Sequence, residues 1–445
     1  MEKQENDFYN SFDYLNKNER DQISLSKINS ILQLAHDKSS FYKNRMPKNS
    51  VKSLAEFAKL PELSQDDLRN HLPPKHEGIL TKQLSNSYVF TSGGTTGDPK
   101  FTFYSNEEIK SQAYICGKGF YLPGIRSNYR VANLMNAGNL WASFTFVNKA
   151  LEHSKCLILP IAAQTGVEAT IAYIRAFNVN AAIGIPTFFI SLANYCEEHH
   201  ISDINIEIIA TGGEHIYPET KEFIGRVLGV KKFVSAGYSS NDTGLLGYNC
   251  EALAGSIHHI HEDSVYIEIV DPTTGKPVED GETGKIIVTS LNRTLMPLIR
   301  YDIGDMGRIL KTSCSCGRKT RLLELLGRSD DVLIIGGYNI SPSVISQIIG
   351  NFDTLSFHFQ MSADIKDGKA LLQVEIETNR TVVATERKLL EQAFLERLIF
   401  EEDVLRSTLK SKGIVTPQIT VSNPGTLFRN PKTGKIKQVN DKRKL

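Results

Sequence analysis

Residues Thr91 to Lys100 read TSGGTTGDPK and follow directly on the apolar SYVF of residues 87–90. Gly93, Gly94 and Gly97 permit tight backbone approach, while Thr91, Ser92, Thr95 and Thr96 add hydroxyl donors. Such a loop can wrap phosphate oxygens with N–H and O–H groups, and Lys100 adds a positive charge. It is not a Walker loop, because no Gly-Lys-Ser/Thr follows a four-residue gap. Alone, the stretch would serve equally as a polar Gly/Thr turn; its surroundings decide the matter.

Downstream, from about Lys155 to Ala236, short apolar runs (KCLILPI, AAIGIP, IEIIATGG, KKFVSAG) alternate with helical patterns. That alternation predicts a parallel sheet with crossover helices, and ligands collect at the carboxyl ends of such strands. Two of these strands run into polar segments, TGGE (Thr211–Glu214) and GYSSNDTG (Gly237–Gly244), which form the natural floor of a site. SVYIEIV and GKIIVTS then read as antiparallel strands of a smaller β unit. Upstream, Leu25, Ile28, Leu32 and Ala35 share one helix face that must pack on something. After GRSDD the pattern restarts as strand, helix, two strands (TLSFHFQM and KALLQVEIET, joined through Asp367 and Gly368), helix and strand. This order predicts a compact α+β domain of about a hundred residues, with its boundary near Asp330.

The charge balance removes whole classes of partner. With 51 Lys+Arg against 50 Asp+Glu over 445 residues, no global field draws nucleic acid or an anionic membrane, so a polyanion must be held by local geometry. A polar, acidic start and the lack of any apolar run of bilayer length lead to the expectation of a cytoplasmic enzyme with no membrane partner. Cys116, Cys156 and Cys196 stand alone in segments where burial as a free thiol is usual. Cys250, the histidines of GSIHHIHEDS, and Cys314 with Cys316 offer the thiolate and imidazole donors of a tetrahedral structural zinc. Cys-x-Cys is not a zinc-finger spacing, and free thiols in a reducing cytoplasm are the alternative.

In this order the segments resemble the adenylate-forming superfamily of acyl-CoA synthetases, peptide-synthetase adenylation domains and luciferases, in which a Ser/Thr/Gly-rich loop ending in Pro-Lys closes over the triphosphate. The resemblance implies that Gly212, Gly213 and Glu214 belong to the adenine-contacting loop. It makes Tyr238, Ser239, Asn241 and Asp242 the strand-end segment, with Asn241 where the family has Thr and Asp242 where it has Glu. A carboxylate at Asp242 would hold Mg²⁺ against the phosphates. Asp305, ending RYDIGD, falls where the family grips the ribose hydroxyls, and Arg328 where it reaches ribose or phosphate. Asp330 takes the hinge position, Gly336 and Gly337 of GGYNISP line the thiol tunnel, and Lys435 is placed as the catalytic lysine.

The segments SSFYKNRM, FAKLPELSQDDLRNHLP, GRSDD and GKIKQVNDKR, together with the short chain, are similar to the phenylacetate–CoA ligase branch over essentially the whole length. The implied fold is α/β: a large multi-part domain at 1–328, a hinge at 329–331 and an α+β lid at 332–445. The implied chemistry is ATP- and Mg²⁺-dependent conversion of a small, aromatic carboxylic acid to acyl-AMP, then transfer to a thiol, most simply coenzyme A. Trp141 lies where the family's acid-binding helix begins, and a core aromatic is the other reading of it. Members of the branch carry a similar Cys, His, Cys-x-Cys set, and alignment of HxED favours His259 as the histidine. A carrier-protein thiol as acceptor, a nucleotide-binding protein without turnover, and a homodimer all stay open.

Overall fold

The computed structural model describes residues 12–92, 100–214, 216–253, 255–328, 333–335, 338–366, 369–410, 414–430 and 434–444. Gly93, Gly94, Thr95, Thr96 and Gly97 of the expected phosphate loop, the hinge residue Asp330, and Gly336 and Gly337 lie outside the described residues.

Helix α1 (Lys17–Lys38) starts at a reciprocal cap between Asn16 and Glu19, and it buries Ile28, Ile31, Leu32 and Ala35. Leu25 is partly buried against the same core, so the apolar face read from the sequence is the packed one. A second capping box, Ser64 with Asp67, starts α2 (Gln65–His71). Strands β1 (Ser87–Ser92) and β2 (Lys100–Ser105) form an antiparallel pair in which Ser92 faces Lys100, so the TSGGTTGDPK segment bridges two hydrogen-bonded strands. Ser105 then caps α3 (Asn106–Tyr121), with Glu108 bonding back to the cap.

The expected alternation follows as β3 (Arg130–Leu134), α4 (Ala142–Glu152), β4 (Leu157–Leu159), α5 (Val167–Phe177), β5 (Ala181–Gly184), α6 (Pro186–Glu198), β6 (Ile208–Thr211), α7 (Pro218–Leu228) and β7 (Lys232–Ser235). The strand order in the sheet is β4-β3-β5-β6-β7, with β3 and β4 parallel. Pro186 and Pro218 each open a helix, where the missing N–H costs nothing. Next come β8 (Tyr238–Ser240), β9 (Gly244–Tyr248), β10 (Ile257–Ile260), β11 (Val265–Val270), β12 (Gly284–Ser290), β13 (Tyr301–Ile309) and β14 (Leu322–Arg328). They make a seven-stranded sheet in the order β11-β12-β13-β14-β10-β9-β8. SVYIEIV and GKIIVTS are neighbours in it, antiparallel from Val265↔Ser290 to Val270↔Lys285.

The C-terminal part holds the pair β15 (Leu333–Ile335) and β16 (Tyr338–Ile340), helix α8 (Pro342–Ile349), β17 (Leu355–Lys366), β18 (Lys369–Thr378), α9 (Ala384–Glu401), α10 (Asp403–Lys410), β19 (Gln418–Ser422) and β20 (Val439–Asp441). Its four-stranded sheet runs β19-β18-β17-β20. The chain divides into two compact units, one of Met1–Gln164, Ala181–Ile183 and Val234–Gly327, the other of Thr165–Asn180, Gly184–Phe233 and Arg328–Leu445. The core of the first unites α1 with the seven-stranded sheet, through residues such as Ile28, Phe57, Leu246, Ile267, Val288 and Leu323. In the second, the C-terminal sheet packs on α6, where Asn194 Nδ2 donates to Ser356 Oγ at 3.0 Å. Among the described residues no helix is long and apolar enough to cross a membrane.

Candidate functional site

In the first unit, the ends of the TSGGTTGDPK segment and the strand-end segment converge. Lys100 Nζ lies 2.5 Å from Asp242 Oδ2, with both side chains almost wholly buried. Tyr301, at the start of β13, completes a triangle: its hydroxyl accepts from Lys100 Nζ at 2.7 Å and donates to Asp242 Oδ2 at 3.0 Å. Burial, and then the Asp242 charge, push the Tyr301 phenol far above its ordinary pKa, so it stays a neutral donor. Asp242 Oδ1 is buried and has no hydrogen-bond partner among the described residues. A buried carboxylate oxygen left in that state is a fit for a hard cation such as Mg²⁺.

Asn241, the departure from the family's Thr, donates its amide to the Thr91 carbonyl at 2.7 Å, and its own carbonyl accepts from Tyr104 Oη at 2.7 Å. It therefore ties the strand-end segment to the residue from which the loop departs. Tyr238 is buried and donates to Asp305 Oδ2 at 2.7 Å, which orients the carboxylate expected at the ribose. Ser239 is exposed and pairs with Leu245 across β8 and β9. Arg328 closes β14 as its last residue.

The second unit assembles the other expected group. Gly213 adopts φ +80°, a conformation that favours glycine, and a Cβ there would meet Lys435 Nζ at 2.5 Å and displace the lysine tip. The Lys435 ammonium donates to the Gly213 carbonyl. Beside this lysine, Gly434 N donates to Asn430 O at 2.8 Å, Asn430 N to Lys435 O at 2.9 Å, and Gly434 takes φ +67°. Burial lowers the Lys435 pKa, with the Glu214 charge opposing. Glu214 Oε2 accepts from Thr187 N at 3.0 Å and Thr187 Oγ1 at 2.7 Å, which fixes TGGE to the first turn of α6. Gly212 N bonds the Gly184 carbonyl at 3.2 Å and carries on the β5–β6 ladder.

The cysteine and histidine set also comes together, in the first unit. The ligand atoms of Cys250, His259, Cys314 and Cys316 all lie within 4.8 Å of one another. Sulfurs bound at about 2.3 Å to one tetrahedral centre stand about 3.8 Å apart, and Cys250 Sγ to Cys314 Sγ is 3.6 Å. His259 Nε2 faces Cys316 Sγ at 3.3 Å, and its Nδ1 bonds Thr320 Oγ1 at 3.0 Å, the outer contact that orients a ligating imidazole. Burial pushes the Cys250 thiol up to about 12 and His259 down to about 4. Three sulfurs and an uncharged imidazole are the donor set that a dication such as zinc takes. His258 lies outside this group, its Nε2 2.9 Å from Ser235 Oγ.

Sequence reading missed Tyr301, although it lies inside the quoted RYDIGD; the register of β13 on β12 shifts between Asp302 and Met306, so the two-residue period does not link Tyr301 to Asp305. Sequence reading also missed Arg293, which is fully buried and reaches the Asp242 and Phe103 carbonyls. No local pattern marks an arginine whose partners lie far along the chain.

Residues 18–296 match the family model described as AMP-binding enzyme, and residues 337–443 that described as AMP-binding enzyme C-terminal domain. Among curated proteins the chain is similar to the phenylacetate-coenzyme A ligase of Thermus thermophilus, 26% identical over 436 residues that cover 94% of this chain and 95% of that protein. It is likewise 26% identical to the phenylacetate-coenzyme A ligase of Escherichia coli, over 89% of this chain and 88% of that protein. Among solved structures, 2-hydroxyisobutyryl-CoA ligase in the postadenylation state with R3-HIB-AMP superposes with TM-score 0.80 at 20% identity, covering 97% of this chain and 91% of that one. The same ligase with 2-HIB-AMP and CoA in the thioesterification state gives 0.67 at 21% identity, covering 96% and 91%. The fold is therefore that of the adenylate-forming enzymes: α/β, with a C-terminal α+β domain.

Proposed function

The chain belongs to the AMP-binding enzyme family, and from that premise we propose that it activates a small aromatic carboxylic acid with ATP as acyl-AMP and then passes the acyl group to coenzyme A. The observation that carries the proposal is Lys435 of the C-terminal domain, its ammonium delivered to the Gly213 carbonyl at the end of β6. A mobile-domain lysine at a strand-end loop is a cation placed where charge develops on a phosphate.

In the first half-reaction a substrate carboxylate oxygen attacks the α-phosphorus of ATP, the bond to the bridging oxygen breaks, and pyrophosphate leaves. Lys435 stabilises the crowded oxygens, Lys100 and the loop that it closes hold the leaving phosphates, and Asp305, oriented by Tyr238, accepts the ribose hydroxyls. Asp242 Oδ1 would hold Mg²⁺, which when bound supplies charge neutralisation on the phosphates. In the second half-reaction a thiolate attacks the acyl carbon and AMP departs. We assign residues 329–331 as the hinge that exchanges Lys435 for the GGYN backbone between the two steps. The closed donor set of Cys250, His259, Cys314 and Cys316 supports a structural zinc that leaves no position for an activated water. Free cysteines throughout the described residues suit a cytoplasmic setting.

Phenylacetate-coenzyme A ligases among the relatives support an aryl acid as substrate. The test is product analysis with ATP, coenzyme A and a panel of aryl, fatty and amino acids. Benzoate- or phenylacetate-like acids should give AMP, pyrophosphate and a coenzyme A thioester in equal amounts. Turnover confined to fatty or amino acids would overturn the aryl assignment, and no turnover with any acid would overturn the ligase reading.

A further inference from the structure

A buried cluster on the C-terminal sheet of the second unit has no part in the chemistry above. Between Leu355↔Thr378 and Phe359↔Ile376 the register of β17 on β18 shifts, so that β17 spends more residues than β18. The bulge re-aims His358, which is 4% exposed, while Glu377 beside it on β18 is 1% exposed. Arg429 clamps both Glu377 oxygens, Nη1 to Oε1 at 2.9 Å and Nη2 to Oε2 at 2.7 Å, and Leu427 N adds a bond to Oε1 at 2.8 Å. His358 Nδ1 stands 3.2 Å from Arg429 Nη2 and 3.4 Å from Glu377 Oε2. Its Nε2 lies 3.0 Å from the carbonyl of Thr187, in the first turn of α6, which also accepts the Ser191 hydroxyl.

This geometry settles where the proton sits. A guanidinium only donates, so in the neutral ring Nδ1 accepts from Arg429 and the hydrogen is on Nε2. In the charged ring Nδ1–H donates to Glu377 and Nε2 again carries a hydrogen. Both forms donate Nε2–H to the Thr187 carbonyl. Thr187 in turn donates its N–H and hydroxyl to Glu214, the residue next to Gly213, where Lys435 is received. A rigid carboxylate–arginine–histidine clamp on the C-terminal sheet therefore grips the helix turn that positions TGGE.

We propose that His358 is a positioning residue, a latch that holds the C-terminal domain in the arrangement that delivers Lys435 for the first half-reaction. The inference rests on the two-step reading given above. Losing one buried hydrogen bond that favours that arrangement shifts the equilibrium between the two arrangements by about tenfold.

The experiment compares His358→Ala and His358→Gln with wild type in three readouts: acid-dependent ATP–pyrophosphate exchange, thioester release from synthetic acyl-AMP, and the rate at which acetic anhydride acetylates Lys435 in the full chain, with exposed Lys366 as internal reference. For His358→Ala the expected result is exchange lowered and acetylation of Lys435 accelerated by factors that multiply to about ten, since both read the same two-state equilibrium, with thioester release from acyl-AMP within about twofold of wild type. His358→Gln, whose side-chain amide can still donate to Thr187, should recover most of the loss. Unchanged Lys435 acetylation, an equal fall in both half-reactions, or a Gln variant as impaired as Ala would overturn the latch. Wild type without exchange would overturn the two-step reading, while the labelling still judges the latch.

Discussion

Arg293→Ala should destabilise the first unit by about 4 kcal/mol, a large share of the ~5–15 kcal/mol that holds a protein folded. The side chain is fully buried, donates to the carbonyls of Asp242 and Phe103, and approaches Thr102 Oγ1 at 3.4 Å. Its guanidinium carbon sits 3.5 Å from the centroid of the Tyr104 ring, and Glu108 lies 3.9 Å from Nε. Truncation orphans two buried carbonyls at roughly 1–3 kcal/mol each and removes a desolvated cation–π contact of about 2 kcal/mol. Relief of the arginine's own desolvation cost offsets part of that sum, which leaves about 4 kcal/mol. Glu108 stays satisfied by the N–H groups of Ser105, Thr294 and Leu295, so the loss should not spread through it. Arg293→Met refills the volume but not the donors and should cost about half as much. The assay is urea unfolding followed by the fluorescence of Trp141, the chain's single tryptophan, which lies in the same unit. An Ala variant within about 1 kcal/mol of wild type would refute the reasoning, because two buried carbonyls cannot lose their donors so cheaply.

Protein purified without chelator should carry one zinc per chain, and removing the metal should lower the melting temperature, since binding energy at a closed site is folding energy; sub-stoichiometric zinc that leaves without changing the melting temperature would contradict this. Asp305→Ala should weaken ATP binding by about ten- to a hundredfold with the fold unchanged, because it removes hydrogen bonds that the ligand uses. Unaltered ATP affinity, measured calorimetrically, would mean that the ribose site lies elsewhere.

Much of this was legible in the chain because it is locally encoded. The apolar face of α1, the pair β11 and β12, and the pair β17 and β18 each write their period into a dozen neighbouring residues. The residues brought together within each unit were legible for a different reason: Thr91, Lys100, Tyr238 and Asp242 in the first, and Gly213 and Lys435 in the second, sit in short segments of fixed order. What escaped was non-local. β20 pairs in parallel with β17 over Met361↔Val439 to Ala363↔Asp441, yet VND carries no strand pattern of its own. Arg293 and His358 read as ordinary polar residues, since a burying partner such as Phe103 or Thr187 stands more than a hundred positions away. Asn241, in doubt as a departure from the family, gains its reason only when Thr91 is seen opposite.

The central claim is that Lys435 serves acyl-AMP formation and not thioester formation, and a paired assay on Lys435→Ala tests it most directly. Acid-dependent ATP–pyrophosphate exchange and thioester release from synthetic acyl-AMP are measured on the same preparation, beside wild type. The account predicts that exchange falls by about 10²–10³ or more, because a charge matched to the transition state is gone, while supplied acyl-AMP is still converted at close to the wild-type rate. Equal loss of both activities, or exchange that survives without Lys435, would contradict it.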